Sequence, residues 1–174
     1  MSYQHPSTPS QAEAFTEASW KEILAKTYLL PGNLVAVIGE KRNEIAARLT
    51  QLVRRIYVLD PETSAQSANH SSNKLEQLTY TGFPLPLPEE SVDIVFASNF
   101  LNEHPIEALQ ELGRVLVPGG RLVILEDCPP KPDQFHTWFQ EADLVNLITK
   151  RLDASGQGMA TGTRRIRMLS LIHI

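Results

Sequence analysis

The chain has 174 residues, a net charge of −4 and a single cysteine, Cys128, which argues against a disulfide framework, a cysteine-based metal site and a nucleic-acid surface. With 42% hydrophobic and 21% charged residues, it can form one ordinary globular domain with a sizeable core. No apolar run is long enough to cross a bilayer and no basic-then-apolar leader opens the chain, so a reducing, cytoplasmic setting without a membrane partner is expected. The short basic clusters Lys41-Arg42, Arg54-Arg55 and Arg164-Arg165-Arg167 read as solvated faces.

Met1 to about Ser10 is rich in Ser, Pro and Gln and reads as a mobile lead-in. Between Gln11 and Leu30, the residues Ala14, Phe15, Ala18, Ile23, Leu24 and Tyr28 suggest one or two amphipathic helical turns, ended by Pro31-Gly32. Asn33 to Gly39 is a buried strand. Asn43 or Glu44 to Arg54 follows as a helix with Ile45, Ala46, Leu49, Leu52 and Val53 as its inner stripe. Arg55 to Asp60 is the second strand. From Pro61 to Asn73 small polar residues prevail, which gives a loose loop or a weak helix over Ala65 to Asn69. Lys74 to Thr81 holds a short third strand.

Asp93-Ile-Val-Phe-Ala-Ser98 is an apolar run of the kind buried in a parallel sheet. Ala108, Leu109, Leu112, Val115 and Leu116 fall on one face of a helix, which Pro118-Gly119-Gly120 stops before a strand over Arg121 to Leu125. Prolines 129, 130 and 132 make a stiff loop after Cys128. Asp133 is placed to cap a helix over Gln134 to Ala142. Leu144 to Leu152 is a sixth strand, or a helix end followed by one. Ala154 to Thr163 reads as a Gly-rich connection, and Arg164 to Ile172 as the final strand of an antiparallel hairpin. The last six residues, Leu169 to Ile174, also match what a sequencing-library adapter encodes in one reading frame. On that reading the tail is non-native and the natural chain continues past Met168. Strands alternating with helices predict an α/β fold, a three-layer sandwich with a mostly parallel sheet and a C-terminal antiparallel hairpin. Residues 1–30 are then lead-in and helix, 31–168 the domain, and 169–174 the tail.

The run from Phe83 to Glu126 resembles the fourth and fifth strands of class I S-adenosylmethionine (SAM) dependent methyltransferases. A Pro-rich segment leads into Asp93-Ile-Val, the helix ends Arg114-Val-Leu-Val-Pro-Gly-Gly120, and the next strand ends in Leu125-Glu126. The resemblance implies a Rossmann-like sheet, SAM as cofactor and methyl transfer to a small-molecule acceptor. The cofactor half departs from the pattern. Of the family's D/E-x-G-x-G-x-G turn only Gly39 remains, with Val37 at the acidic position and Lys41 and Asn43 at the later glycines. A lysine there adds bulk and positive charge beside a sulfonium. A domain that has lost the cofactor and serves as a protein-interaction module is therefore the alternative, as in the anamorsin-type iron–sulfur assembly proteins, whose N-terminal domains keep the sheet and lack the turn.

The resemblance places Gly39 and Glu40 in the cofactor turn, and Asp60 with Pro61 where an acid holds the ribose hydroxyls. Thr81 falls near the adenine, Phe83 or Tyr80 beside the ring, and Asn99 at the mouth of the cleft. Strand-end Asp before Pro is also a common turn starter. Glu103 and His104 are candidates for acid and base, His104 being offset by one from the family's histidine. Their plainer role is in the loop before the helix at Pro105. Glu126 and Asp127 are placed to face the cleft, and Cys128 reads as an inert thiol.

Overall fold

Alternation along β1 (Leu34–Gly39) sets the two faces of the sheet. Val35 and Val37 point to one side, Ala36 and Ile38 to the other, and all four are fully buried. A strand buried on both faces has to be apolar at every position, which this one is. The computed structural model describes residues 14–62 and 73–167. The lead-in up to Ser10, the weak helix over Ala65 to Asn69 and the tail from Leu169 lie outside them.

The remaining strands are β2 (Arg55–Pro61), β3 (Leu75–Tyr80), β4 (Val92–Ser98), β5 (Leu116–Glu126), β6 (Leu144–Arg151) and β7 (Gly158–Arg164). They form one sheet in the order β3-β2-β1-β4-β5-β7-β6. Pairings are parallel from β3 through β5 and antiparallel for β5–β7 and β7–β6. The fold is thus the Rossmann-like three-layer sandwich with a C-terminal antiparallel hairpin that the sequence predicts. Helices α1 (Glu17–Thr27) and α2 (Arg42–Leu49) cover one face through Trp20, Ile23, Ile45 and Leu49. Helices α3 (Pro105–Val115) and α4 (Pro132–Glu141) cover the other through Leu109, Leu112, Phe135 and Phe139.

The Pro-Gly-Gly turn lies within β5 as a bulge. Val92 pairs with Leu116 and Ile94 with Arg121, so the extra residues loop out opposite Asp93. The Asp93 carboxylate accepts the Leu34 N–H at 2.7 Å and anchors the entry of β1.

Several sequence expectations need correcting. Among the described residues the last strand is Gly158–Arg164, almost wholly inside the run read as a Gly-rich connection, and of the strand expected over Arg164 to Ile172 the described residues 165–167 are not strand. Its glycines are small because neighbours press on them. A Cβ at Gly162 would lie 2.3 Å from a Phe139 ring carbon of α4, and one at Gly158 would lie 2.8 Å from the Pro129 ring. Helix α2 ends at Leu49, so Leu52 is 41% exposed, off the inner stripe. In α1 the buried face is Ser19, Trp20, Ile23 and Thr27, while Ala18 is exposed and Tyr28 is 66% exposed in a left-handed C-cap. Asp133 sits in the first turn of α4 and Lys131 takes the N-cap position, without a side-chain bond.

Candidate functional site

Parallel strands bring their C-terminal ends to one edge, and in open α/β sheets ligands bind there. Ile38 pairs with Leu59 and Gly39 with Ser98, so Gly39, Asp60 and Asn99 come together on one side of the sheet. Asp93 sits at the other end of β4.

Gly39 has φ +103, and a Cβ on it would lie 1.8 Å from the Ser98 carbonyl oxygen. This glycine is required by the close approach of β1 and β4. Beyond it the chain turns over Glu40 and Lys41 directly into α2. Ser98 holds the turn: its carbonyl accepts the Glu40 N–H at 3.0 Å and its hydroxyl the Lys41 N–H at 2.8 Å.

Lys41 and Arg42, read from sequence as a solvated cluster, are turned into the edge of the sheet. The Lys41 side chain is only 3% exposed; its Nζ lies 3.1 Å from Asp127 Oδ1 and 4.3 Å over the Phe15 ring. Asp127 also accepts from Gln157 Nε2 at 3.0 Å and Asn99 Nδ2 at 2.9 Å, and its N–H donates to Asn99 Oδ1 at 2.8 Å. Burial pushes the Asp127 carboxyl up, but the bonds from Gln157, Asn99 and Lys41 outweigh it and hold the carboxyl below its ordinary value. Asn99, at φ +47, donates as well to Glu40 Oε2 at 3.0 Å. Arg42 donates through Nε to Asp60 Oδ1 at 2.5 Å and through Nη1 to the Gly39 carbonyl at 3.0 Å. Asn43 is exposed on the first turn of α2, so the bulk at this edge comes from Lys41 and Arg42 rather than from Lys41 and Asn43.

Glu126 lies beneath this network, buried at the end of β5, with Oε1 3.5 Å from the Leu101 N–H. Burial pushes its carboxyl up to about 7, against the pull of the Leu101 and Phe100 N–H groups, and the neighbouring Asp127 and Glu40 charges add to the rise. Tyr80 stands beside Arg42 and Asp60, next to Pro61 in register; burial raises its phenol.

The other candidates stand apart. Thr81 is exposed, and Phe83, 43% exposed, packs edge-on against Phe100 at 6.2 Å between ring centres. Glu103 and His104 are exposed in the loop before α3, where His104 is the N-cap residue without a side-chain bond and Pro105 opens the helix. Cys128 is exposed. Among the described residues no group of His, Cys, Asp or Glu could hold a metal ion, and no helix is long and apolar enough to cross a membrane. Sequence reasoning passed over Phe15, Arg42, Ser98 and Gln157 as members of the network. For Arg42 a signal existed, since two cations follow the glycine where small residues are expected. Gln157, inside a Gly-rich run, gave none.

Sheet order, flanking layers and ligand edge define the class I methyltransferase fold. A family model described as methyltransferase domain matches residues 38–124, half of the chain, and the chain belongs to that family. No curated protein matches it. Among solved structures, it is similar to a chain from the Haloferax volcanii complex between the Trm112 methyltransferase activator and a methyltransferase. That match has a TM-score of 0.74 at 17% identity and covers 86% of this chain and 90% of the other. A SAM-dependent methyltransferase from Aquifex aeolicus matches with a TM-score of 0.65 at 19% identity, over 83% of this chain and 88% of that one. The [4+2]-cyclase SpnF matches with a TM-score of 0.64 at 15% identity, over 84% and 80%. At these identities the likeness speaks for the fold.

Proposed function

We propose that this methyltransferase-family domain has closed its cofactor cleft with its own side chains and works as a protein-interaction module. One observation carries the reading: Lys41 and Arg42 already occupy the acids that face the cleft, Lys41 on Asp127 and Arg42 on Asp60. The residues present do not fit SAM. Its ribose needs a free carboxylate at the end of β2, and Asp60 is spent on Arg42. Its methionine part needs a close backbone approach after Gly39, and there the chain carries Lys41, whose side chain runs to Asp127 and Phe15 where small residues would leave room. A sulfonium placed there would also meet an ammonium. That a [4+2]-cyclase shares the fold supports separating fold from chemistry. The occurrence of a similar chain in a complex with a methyltransferase activator supports a protein partner for such a domain.

The second reading is SAM-dependent methyl transfer to a small-molecule acceptor, with Gly39, Glu40, Asp60, Pro61, Thr81, Phe83 and Asn99 around the cofactor and Glu103 and His104 as acid and base. The retained acid at the end of β2, beside Gly39, favours it. Thermal melts of wild type and Asp60→Ala with and without SAM separate the two. In the module neither protein melts higher with SAM, and Asp60→Ala lowers stability by about 1 kcal/mol through lost local bonds. In the enzyme, SAM raises the wild-type melting temperature and Asp60→Ala weakens SAM binding at least about tenfold, the worth of one charge-assisted hydrogen bond.

A further inference from the structure

The Pro-rich loop after β5 and the β6–β7 hairpin enclose a concavity of about 330 Å³ that takes no part in the Lys41 and Arg42 network. Its size is at the low end of the range for small-ligand sites. Phe135 and Met159, almost wholly buried, form its floor, and the apolar lining open to solvent is that of Pro129, Pro130 and Pro132. Pro129 and Pro132 make one wall, and proline fixes that wall before any ligand arrives. The lining is open at Gly156, which carries no side chain. The space around Gly156 is empty to 4 Å, and Gly158 rests directly against the Pro129 ring.

The charges around this pocket are one-sided. No Asp or Glu lines it, although the chain as a whole is acidic. Three cations do: Lys131, Lys150 and Arg151. Lys150 is committed to Glu22 of α1. Lys131 and Arg151 are exposed, and among the described residues neither side chain makes an ion pair or a hydrogen bond. Two uncommitted cations beside an apolar, preformed hollow suit a ligand with an apolar body and one anionic end, and arginine in particular matches a carboxylate through two parallel N–H donors.

We propose that this pocket binds a small amphipathic carboxylate, its apolar body against the prolines 129, 130 and 132 above Phe135 and Met159 and its carboxylate on Lys131 and Arg151. The proposal stands whether or not the neighbouring cleft accepts SAM, because the two share no lining charge.

Titrations of the ¹⁵N-labelled full chain with 3-phenylpropionate and octanoate, followed by amide chemical shifts, test it. Saturable shifts are expected at Gly156, Gly158 and Met159, with the amides of Gly39 and Asn99 unmoved. The neutral 3-phenylpropionamide should bind at least about tenfold more weakly, the worth of one charge-assisted contact. The Lys131→Gln/Arg151→Gln variant, altered only at exposed positions, should keep the wild-type melting temperature and bind acid and amide alike. Equal binding of acid and amide to the wild type, shifts clustered elsewhere, or no saturable shifts with either acid would overturn the proposal.

Discussion

Lys41 Nζ and Asp127 Oδ1 stand 3.1 Å apart and tie the turn after β1 to the end of β5 across the intervening β4. The lysine end of this pair is buried and the aspartate end half-exposed. Leaving the ammonium without its partner should therefore cost more than leaving the carboxylate, which keeps Asn99 and Gln157 as donors.

A double-mutant cycle measures that link. Asp127→Ala should destabilise by about 2–3 kcal/mol and Lys41→Met by about 1 kcal/mol. The double variant should be more stable than the sum of the two, with a coupling of about 1 kcal/mol or more. Urea unfolding gives all three numbers, and a coupling of zero would reduce the pair to a coincidence of geometry.

Glu126 gives the chain a pH dependence of definite sign. Its folded-state carboxyl titrates at about 7, raised from 4.5, so its contribution is fully present below pH 4.5 and is lost as pH rises through 7. The loss amounts to roughly 3 kcal/mol for the full shift. Glu126→Gln keeps the acceptor for the Leu101 N–H and removes the ionisation. Its melting temperature should exceed that of wild type at pH 8 and match it near pH 4.5. Parallel curves across that window would show that Glu126 ionises freely in the fold.

Most of the fold was legible because burial on both faces leaves its mark on the central strands. β1 and the stretches Ile56 to Leu59 of β2, Ile94 to Ala97 of β4 and Leu122 to Leu125 of β5 are unbroken apolar runs, and Pro118-Gly119-Gly120 marks the bulge. β7 was missed because it lies between β5 and β6 and under α4, where Phe139 and Pro129 demand glycine. A strand selected for smallness looks like a linker. The cleft was legible only as a departure from a pattern. Sequence alone showed that glycines were missing at Lys41 and Asn43; that Arg42 reaches Asp60 and Lys41 reaches Asp127 depends on strands distant in sequence. Val37, where the family has an acid, is fully buried against α2, so Val37→Asp would bury a carboxylate in the core and is not a route to restoring the turn.

Two glycines with similar φ, Gly39 and Gly156, should respond differently to alanine. Gly39→Ala drives a methyl into the Ser98 backbone and should cost about 3–5 kcal/mol or prevent folding. Gly156→Ala, at φ +98 with empty space around it, carries only the backbone strain of about 1–2 kcal/mol. Comparable losses at the two positions would show that β1 and β4 do not meet as closely as described.

Asp93 should act on stability alone. Asp93→Ala removes the acceptor of the Leu34 N–H and should lower stability by about 1–3 kcal/mol. Asp93→Asn, which retains an oxygen acceptor, should recover part of it in the same denaturation series. Equal losses would assign the effect to charge instead of the hydrogen bond.

The central claim is that the chain's own cations close the cofactor cleft, and calorimetric titration of SAM tests it most directly. Wild type and a Lys41→Gly/Arg42→Ala variant, the latter first shown by its melting curve to be folded, are titrated side by side. The account predicts no saturable heat from wild type and weak but saturable binding by the variant, in which Asp60 and the space after Gly39 are released. Low-micromolar binding of SAM by the wild-type chain would contradict it.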